Sequence, residues 1–294
     1  MSKLLYQEKP LIGLDINQTG IKVMAINPKS WLVLGYGSLD LDPVRAQAAL
    51  EDTNDTYLSE SISSLLQQNI IGSLTSNHVV VGIPTAKTFS RTFTLPISQL
   101  SHISDAVGVE VDQYVPIPIG SLYVDHEIIE KNKSKATVIM TAAPRNIVDI
   151  CLGAARSAGL MPVISEPGIN AVARVLEATE DGHLTTVIVD IGAASTDVAV
   201  LDNGAIRVTG SIGIGGNTFT IDIAKKMGVA LENAHQFKVL NGLAAGPKQA
   251  KITQALKADL SRIASEIRKV IRYYNERLVD DRKIEQILIV GGGA

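Results

Sequence analysis

Apolar residues follow two rhythms along this chain. Alternating or unbroken runs of Val, Ile and Leu predict strands, and apolar positions three or four residues apart predict helices. Strands are predicted over 11–16, 21–26 and 31–39, joined by short polar turns. A helix follows over 55–70, where Leu58, Ile62, Leu65 and Leu66 share one face. "HVVVGIP" reads as a strand closed by its proline. Further strands fall near 88–94, 122–130 and 136–142, with helices near 99–113 and 144–158. From 161 the order is strand, helix, then three strands over 185–190, 196–202 and 205–212, then helices over 217–227 and 230–241. The long helix 249–279 carries Ile252, Leu256, Leu260, Ile263, Ile267, Val270, Tyr274 and Leu278 at helical spacing, which predicts a core-facing helix, with a coiled coil as the alternative. "IEQILIVGGGA" is a strand entering a glycine turn; such a strand normally feeds a helix, so further elements are expected after it.

The pattern repeats. "GLDINQTGIKVMAI" (13–26) laid over "IVDIGAASTDVAVL" (188–201) puts Asp15 on Asp190, Ile16 on Ile191 and Val23 on Val198. Each copy is a strand ending in aspartate, a turn of small or polar residues, a second strand, a turn and a third strand. "LDNG" is strong hairpin chemistry, because Asn and Gly accept positive φ. Chance likeness of two apolar strands is the alternative, and three strands matching in order argue against it. Two similar lobes facing each other across a cleft are expected, divided as a first lobe core (1–85), an inserted α/β subdomain (86–160) and a second lobe (161–294), part of which is free to pack back on the first.

Composition narrows the class. With 46% hydrophobic but only 4% aromatic residues, the core must be aliphatic. A net charge of −3 gives no basic stripe for nucleic acid. The single cysteine, Cys151, excludes an intramolecular disulfide and is expected to pack in a helix. No run of about 18 apolar residues is present to span a bilayer, and the N-terminal stretch does not read as a signal peptide. The five histidines show no metal spacing.

The paired turns suggest a ligand. Phosphate chains need backbone N–H donors that approach closely, which favours Gly, Ala, Ser and Thr in a turn. A carboxylate beside them repels phosphate unless a cation intervenes, and Mg2+ bridges carboxylates to phosphates through its waters. Asp15 and Asp190 are therefore expected to position hydrated Mg2+. Asn17, Gln18 and Thr19 in one turn, and Gly192, Ala193, Ala194 and Ser195 in the other, are expected to hold phosphates. Gly215 and Gly216, at a helix start with Asn217, and Gly291, Gly292 and Gly293, after the last strand, would bring helix N-termini or bare backbone to the same ligand. A dinucleotide fold is the rival for such glycines, but it wants a βαβ unit with an acidic residue about 20 positions on, and two helices follow Gly216 instead.

These segments together resemble the actin-like ATPase superfamily, and within it the PilM family of type IV pilus assembly proteins, on the branch shared with FtsA. "LIGLDINQTGIKVMAI" and "DIGAASTDVAVLDNG" resemble the two phosphate loops. "SEPGINAVARVLE" resembles the connecting segment, which puts Glu166 where the superfamily has its acidic residue near the attacking water. "GSIGIGGNTFTIDIAKKMGV" and "ENAHQFK", with Lys238, resemble the ribose and base region, and "ILIVGGGA" the adenosine motif. "VEVDQYVPIPIGSLYVDHEII" (109–129) resembles the inserted subdomain of PilM and FtsA. Two departures stand out. The family usually has Gly and Ser at the positions of Asn17 and Gln18, and Glu at that of His235.

The resemblance implies an actin-like two-lobe α/β fold with duplicated βββαβα cores and the inserted subdomain. It implies ATP and Mg2+ as ligands, with nucleotide-dependent lobe closure and slow hydrolysis or none. It implies the N-terminal tail of a PilN-like inner-membrane protein as partner, besides other inner-membrane pilus components and further copies of the chain. It also implies a place on the cytoplasmic face of the inner membrane, reached through those partners. A filament-forming cytoskeletal ATPase of the FtsA or MreB kind, a small-molecule kinase of the sugar-kinase branch, and a type II secretion relative of the GspL/EpsL type remain as alternatives.

Overall fold

A computed structural model describes residues 11–180, 184–244, 246, 249–277 and 282–294. The described residues up to Thr88, with 104–125 and 141–171, form one compact unit. Residues 89–103 and 126–140, with those from Val172 onward, form a second. The stretch 86–160 contributes to both.

In the first unit β1 (Ile12–Asn17), β2 (Gly20–Asn27) and β3 (Leu32–Asp40) form an antiparallel meander. Helices α1 (Pro43–Ala49) and α2 (Tyr57–Gln68), the short β4 (Ile70–Gly72) and β5 (His78–Ile83) follow. The sequence pattern did not predict α1, although its signals are present: Asp42 caps it by accepting the N–H groups of Val44 and Arg45, and Pro43 occupies the first turn. Helix α3 (Ile103–Tyr114), α4 (Arg145–Ser157) and β9 (Met161–Pro167) complete the unit, with α5 (Gly168–Thr179) starting in it. The sheet order is β4-β3-β2-β1-β5-β9, with β1, β5 and β9 parallel. Alternation decides which face is buried: Ile12, Leu14 and Ile16 of β1 and Ile21 and Val23 of β2 point into a core closed by Leu58, Ile62 and Leu65 of α2 and Ile147, Cys151 and Ala155 of α4. Cys151 is fully buried, and burial pushes its thiol up to about 12, so it packs and does not react.

The second unit repeats the meander with β10 (Thr186–Ile191), β11 (Thr196–Asp202) and β12 (Ala205–Ile212). Asp15 pairs with Lys22 and Asp190 with Asp197, so each aspartate lies seven residues from its cross-strand partner. The ladder to the third strand slips between Ala25 and Ile26 in one unit and between Val200 and Leu201 in the other, at the same distance from the aspartate. The "DNG" turn has φ of 55° at Asn203 and 73° at Gly204, the left-handed geometry of a tight hairpin. Helices α6 (Gly216–Met227), α7 (Leu231–Asn241) and α8 (Gln249–Arg277) precede β13 (Gln286–Val290), which joins β10 in parallel. Beyond β12, the sheet continues through β6 (Phe89–Pro96), β8 (Lys135–Pro144) and β7 (Leu122–Lys131). Helix α8 faces the core, as its spacing predicted: Ile252, Leu256, Ile263, Val270 and Tyr274 are buried with Phe219 and Ile223 of α6 against Val187, Val189, Val198 and Val200. Leu278 lies outside the described residues.

Candidate functional site

In the first unit the site begins with strand order. The pairing of β1 with β5 and of β5 with β9 puts Asp15, Gly82 and Glu166 in one row across the sheet, with Lys22 next in line on β2. Residues in register point to the same face, and two strand spacings of about 4.8 Å set the carboxylate-bearing residues roughly 10 Å apart with bare backbone between them. A Cβ on Gly82 would lie 3.3 Å from Asp15 Oδ1, and one on Gly168, at the start of α5, would lie 3.5 Å from it. Thr85 accepts the N–H of Ile169 at 3.1 Å and so fixes the first turn of α5 beside Asp15.

The turn after Asp15 is closed by a side chain. Asn17 Oδ1 accepts from both the N–H and the hydroxyl of Thr19 at 3.0 Å, while its amide Nδ2 donates to Asp15 Oδ2 at 3.1 Å. Gln18, expected at the phosphates, donates its amide to Gln47 of α1. That helix supplies a polar partner the sequence pattern did not anticipate.

In the second unit four chain segments meet. The turn Gly192–Ser195 is closed by the Gly192 N–H donating to the Ser195 carbonyl at 2.9 Å. The start of α6 docks on this turn: the N–H groups of Gly216 and Asn217 donate to the carbonyls of Gly192 and Ala193 at 2.9 Å each. These two N–H groups form a backbone bracket between α6 and the turn. What α6 presents outward is the exposed Asn217 side chain. A Cβ on Gly215 would fall 2.5 Å from the Gly192 carbonyl oxygen, which no side chain survives without a shift of backbone. Thr196, fully buried, donates its hydroxyl to the Ile214 carbonyl at 2.7 Å and ties β11 to the segment entering α6.

The third segment is the glycine turn after β13. Gly291 has φ of 97°, and a Cβ there would lie 2.4 Å from Asp190 Oδ1. The Gly293 N–H donates to the Ile191 carbonyl at 2.8 Å. Gly292 has open space around it. The fourth is α7, from which Lys238 Nζ donates to the Gly216 carbonyl at 2.8 Å. Burial lowers the Lys238 pKa. The ammonium also stands at the N-terminal, electropositive end of α6, a poor place for a cation by itself. Asp190, Gly192, Ala193, Gly215, Gly216, Lys238, Gly291 and Gly293 are thus brought together, with glycine at each close approach. Ala194 and Ser195 complete the turn.

Sequence reasoning did not single out Thr85, Gly82, Gly168 or Thr196. Gly82 had a signal: a glycine in a run of valines marks close approach of a neighbour. Thr85 and Thr196 act through long-range backbone contacts and had none.

A single carboxylate with bare backbone beside it is the kind of donor that Mg2+ engages through water. Among the described residues no three His, Cys, Asp or Glu side chains gather into a metal cage, and each aspartate stands at a strand end with glycine beside its carboxylate. Asp15 and Glu166 lie in the first unit, and Asp190, Gly215, Gly216, Asn217, Lys238 and the Gly291–Gly293 turn in the second.

The chain is 43% identical over 67 residues to the cell division protein FtsA of Neisseria meningitidis, and 42% over 69 residues to FtsA of Escherichia coli. Each match spans 16% of the FtsA chain. Its fold is similar to that of the solved PilM-PilN type IV pilus biogenesis complex, with a TM-score of 0.76 at 23% identity over 97% of this chain and 82% of that one. The ethanolamine utilization protein EutJ of Carboxydothermus hydrogenoformans is a more distant match, at TM-score 0.56 and 15% identity over 98% of this chain and 78% of that one. The fold is actin-like. The family model described as type IV pilus assembly protein PilM matches residues 13–294, so the chain belongs to the PilM family.

Proposed function

We propose that this chain binds ATP with Mg2+ and uses it to set its affinity for the N-terminal tail of a PilN-like inner-membrane protein. In this reading the second unit takes the nucleoside against Gly215, Gly216, Asn217 and Lys238 and the turn Gly291–Gly293. Phosphates are held by the Gly192–Ser195 turn, and by Asn17, Gln18 and Thr19 in the first unit. Asp15 and Asp190 would each reach hydrated Mg2+ through water, and the ion would supply charge neutralisation of the phosphates. In this reading Glu166, in the same row as Asp15, would orient a water. Hydrolysis needs little beyond such positioning, so slow turnover suffices for an assembly role.

The observation that carries the reading is Lys238. A half-buried ammonium with lowered pKa at the electropositive end of α6 is offset by an acceptor-rich or anionic ligand. Membership of the PilM family, and likeness to a structure that holds PilM with PilN, support the partner and a place at the inner face of the membrane. No helix among the described residues is long and apolar enough to cross a membrane, so the reading places attachment on the partners, other pilus components among them.

Melting curves test the nucleotide half. ATP with Mg2+ at about 100 times its dissociation constant adds about 2.7 kcal/mol of stability. Asp190→Ala is expected to remove most of that rise. An unchanged curve at millimolar ATP overturns the proposal. Titration of a fluorescent PilN-type tail, with and without nucleotide, tests the other half; equal affinity in both states would separate the partner from the nucleotide.

A further inference from the structure

The row of the first sheet that holds Lys22, Asp15, Gly82 and Glu166 has a neighbour of opposite character on the same face. Two residues along the strands, Ile71, Tyr36, Met24, Gly13, Val80 and Ile164 pair in that order from β4 to β9 and cross all six strands. A second row follows, with Val33 paired to Ile26, Leu11 directly before β1, and His78 paired to Met161. Neither row carries Asp, Glu, Lys or Arg. Seven of these side chains are 44 to 60% exposed, Leu11 the least and Ile71 the most. At the middle of the sheet, a Cβ on Gly13 would meet only the Met24 carbonyl oxygen, at 3.9 Å, so no described residue covers the centre. Parallel strands such as β1, β5 and β9 carry apolar residues on both faces because both faces are covered. Here one face packs on α2 and α4, and the other meets solvent.

We propose that this face pairs with the same face of a second copy of the chain, sheet on sheet, in a symmetric dimer. Area supports it. At about half exposure the seven side chains leave roughly 700 Å2, close to the about 800 Å2 each partner gives a standard interface and above the about 300–600 Å2 of the largest patch on a typical monomer. Shape supports it too. The band runs across the strands for five spacings, about 24 Å. A helix laid along the strands is about 10–12 Å wide and covers two or three of them, whereas a second sheet covers the full width. A two-fold axis sets one patch against itself, and exposed apolar side chains lie on both sides of Gly13 as such self-pairing needs. The row with Lys22 and Glu166 borders the band, as a polar rim borders an apolar centre. The pairing is independent of the nucleotide reading.

Sedimentation equilibrium of the full chain should show monomer and dimer exchanging at micromolar concentration. Met24→Lys and Ile164→Lys each place a charge in the band and should weaken association at least about tenfold. Leu240→Lys, at an exposed apolar position of α7 in the second unit, should leave it unchanged. A thiol gives a readout free of added charge. Cys151 is buried, so Met24→Cys carries one reactive thiol, and its alkylation should slow as concentration rises through the dissociation constant. A chain that stays monomeric at every concentration overturns the pairing and leaves the face to another occupant. Association untouched by both lysines in the band, equal loss in Leu240→Lys, or alkylation indifferent to concentration overturns it as well.

Discussion

The hairpin at Asp15 and the hairpin at Asp190 share register and bulge and close their turns by different means. In the first unit asparagine side chains do the closing. Asn17 accepts from Thr19, and Asn27, at the end of β2, accepts from the N–H groups of Lys29 and Ser30. In the second unit the position of Asn17 is Gly192, whose carbonyl takes the first N–H of α6, and that of Asn27 is Asp202. Asp202 is buried and pairs with Arg282 at 3.0 Å and Arg207 at 3.4 Å. Both arginines also reach Glu130, at 2.8 and 2.6 Å. The same backbone is thus compatible with local, water-facing turns or with turns keyed into a core. The second kind makes the turn a junction between elements far apart in the chain, and so makes it less tolerant of change.

That contrast can be broken at Asp202 and Asn27. Asp202→Asn leaves two partly or fully buried arginines short of a charge and should cost about 3–4 kcal/mol, read by urea unfolding. Asn27→Ala loses only exposed turn bonds and should cost about 1 kcal/mol or less. Equal costs would erase the distinction. The next comparison is between glycines. Gly291→Ala adds a left-handed strain and a 2.4 Å approach to Asp190, so a loss of about 3 kcal/mol is expected. Gly82→Ala, with 3.3 Å to Asp15, should cost about 1 kcal/mol.

Glu130 sharpens the same point through pH. Burial alone would raise its pKa, but hydrogen bonds from Arg282 and Arg207 and their charge hold it below its usual value of 4.5. A lowered carboxylate stabilises the fold above its unfolded pKa, and that contribution fades as pH falls through the folded value. Glu130→Gln should therefore cost about 2 kcal/mol at pH 7 and progressively less as pH falls below the usual carboxylate value. The smallest effect has the opposite sign. Asp259 of α8 is buried, and its pKa is raised by burial and by the carboxyl of Asp222 on α6. The folded state favours its protonated form, so stability is full below the unfolded pKa and declines as pH rises through the folded value. Asp259→Asn, neutral throughout, should gain about 1 kcal/mol at pH 8 and none at pH 3, checked by melting temperature against pH.

Much of this architecture was legible locally. Two-residue alternation placed the meanders, and small residues after Asp190 marked a turn that backbone must approach. The 3.6 spacing of Ile252 through Tyr274 marked a core helix. Other features needed strand order. That Gly82 separates Asp15 from Glu166 follows from β5 lying between β1 and β9, in pairings that join residues 67 and 84 positions apart. That α6 spends its first N–H groups on Gly192 and Ala193 depends on where the helix docks. Glu130 joins Arg282 across 152 residues, and no local pattern announces such a pair. The hydrogen bond of Gln18 to Gln47 of α1 is of the same kind, joining residues far apart in the chain.

Sequence by itself determined the elements, the duplication and the residue types at the turns, because hydrophobic period and backbone permissiveness are local properties. Tertiary structure alone decided which glycines flank Asp15, which N–H groups of α6 are used and which charges share a core. Those outcomes depend on what packs nearby, and in a folded chain the nearest neighbours are set by strand pairing and helix docking between distant segments.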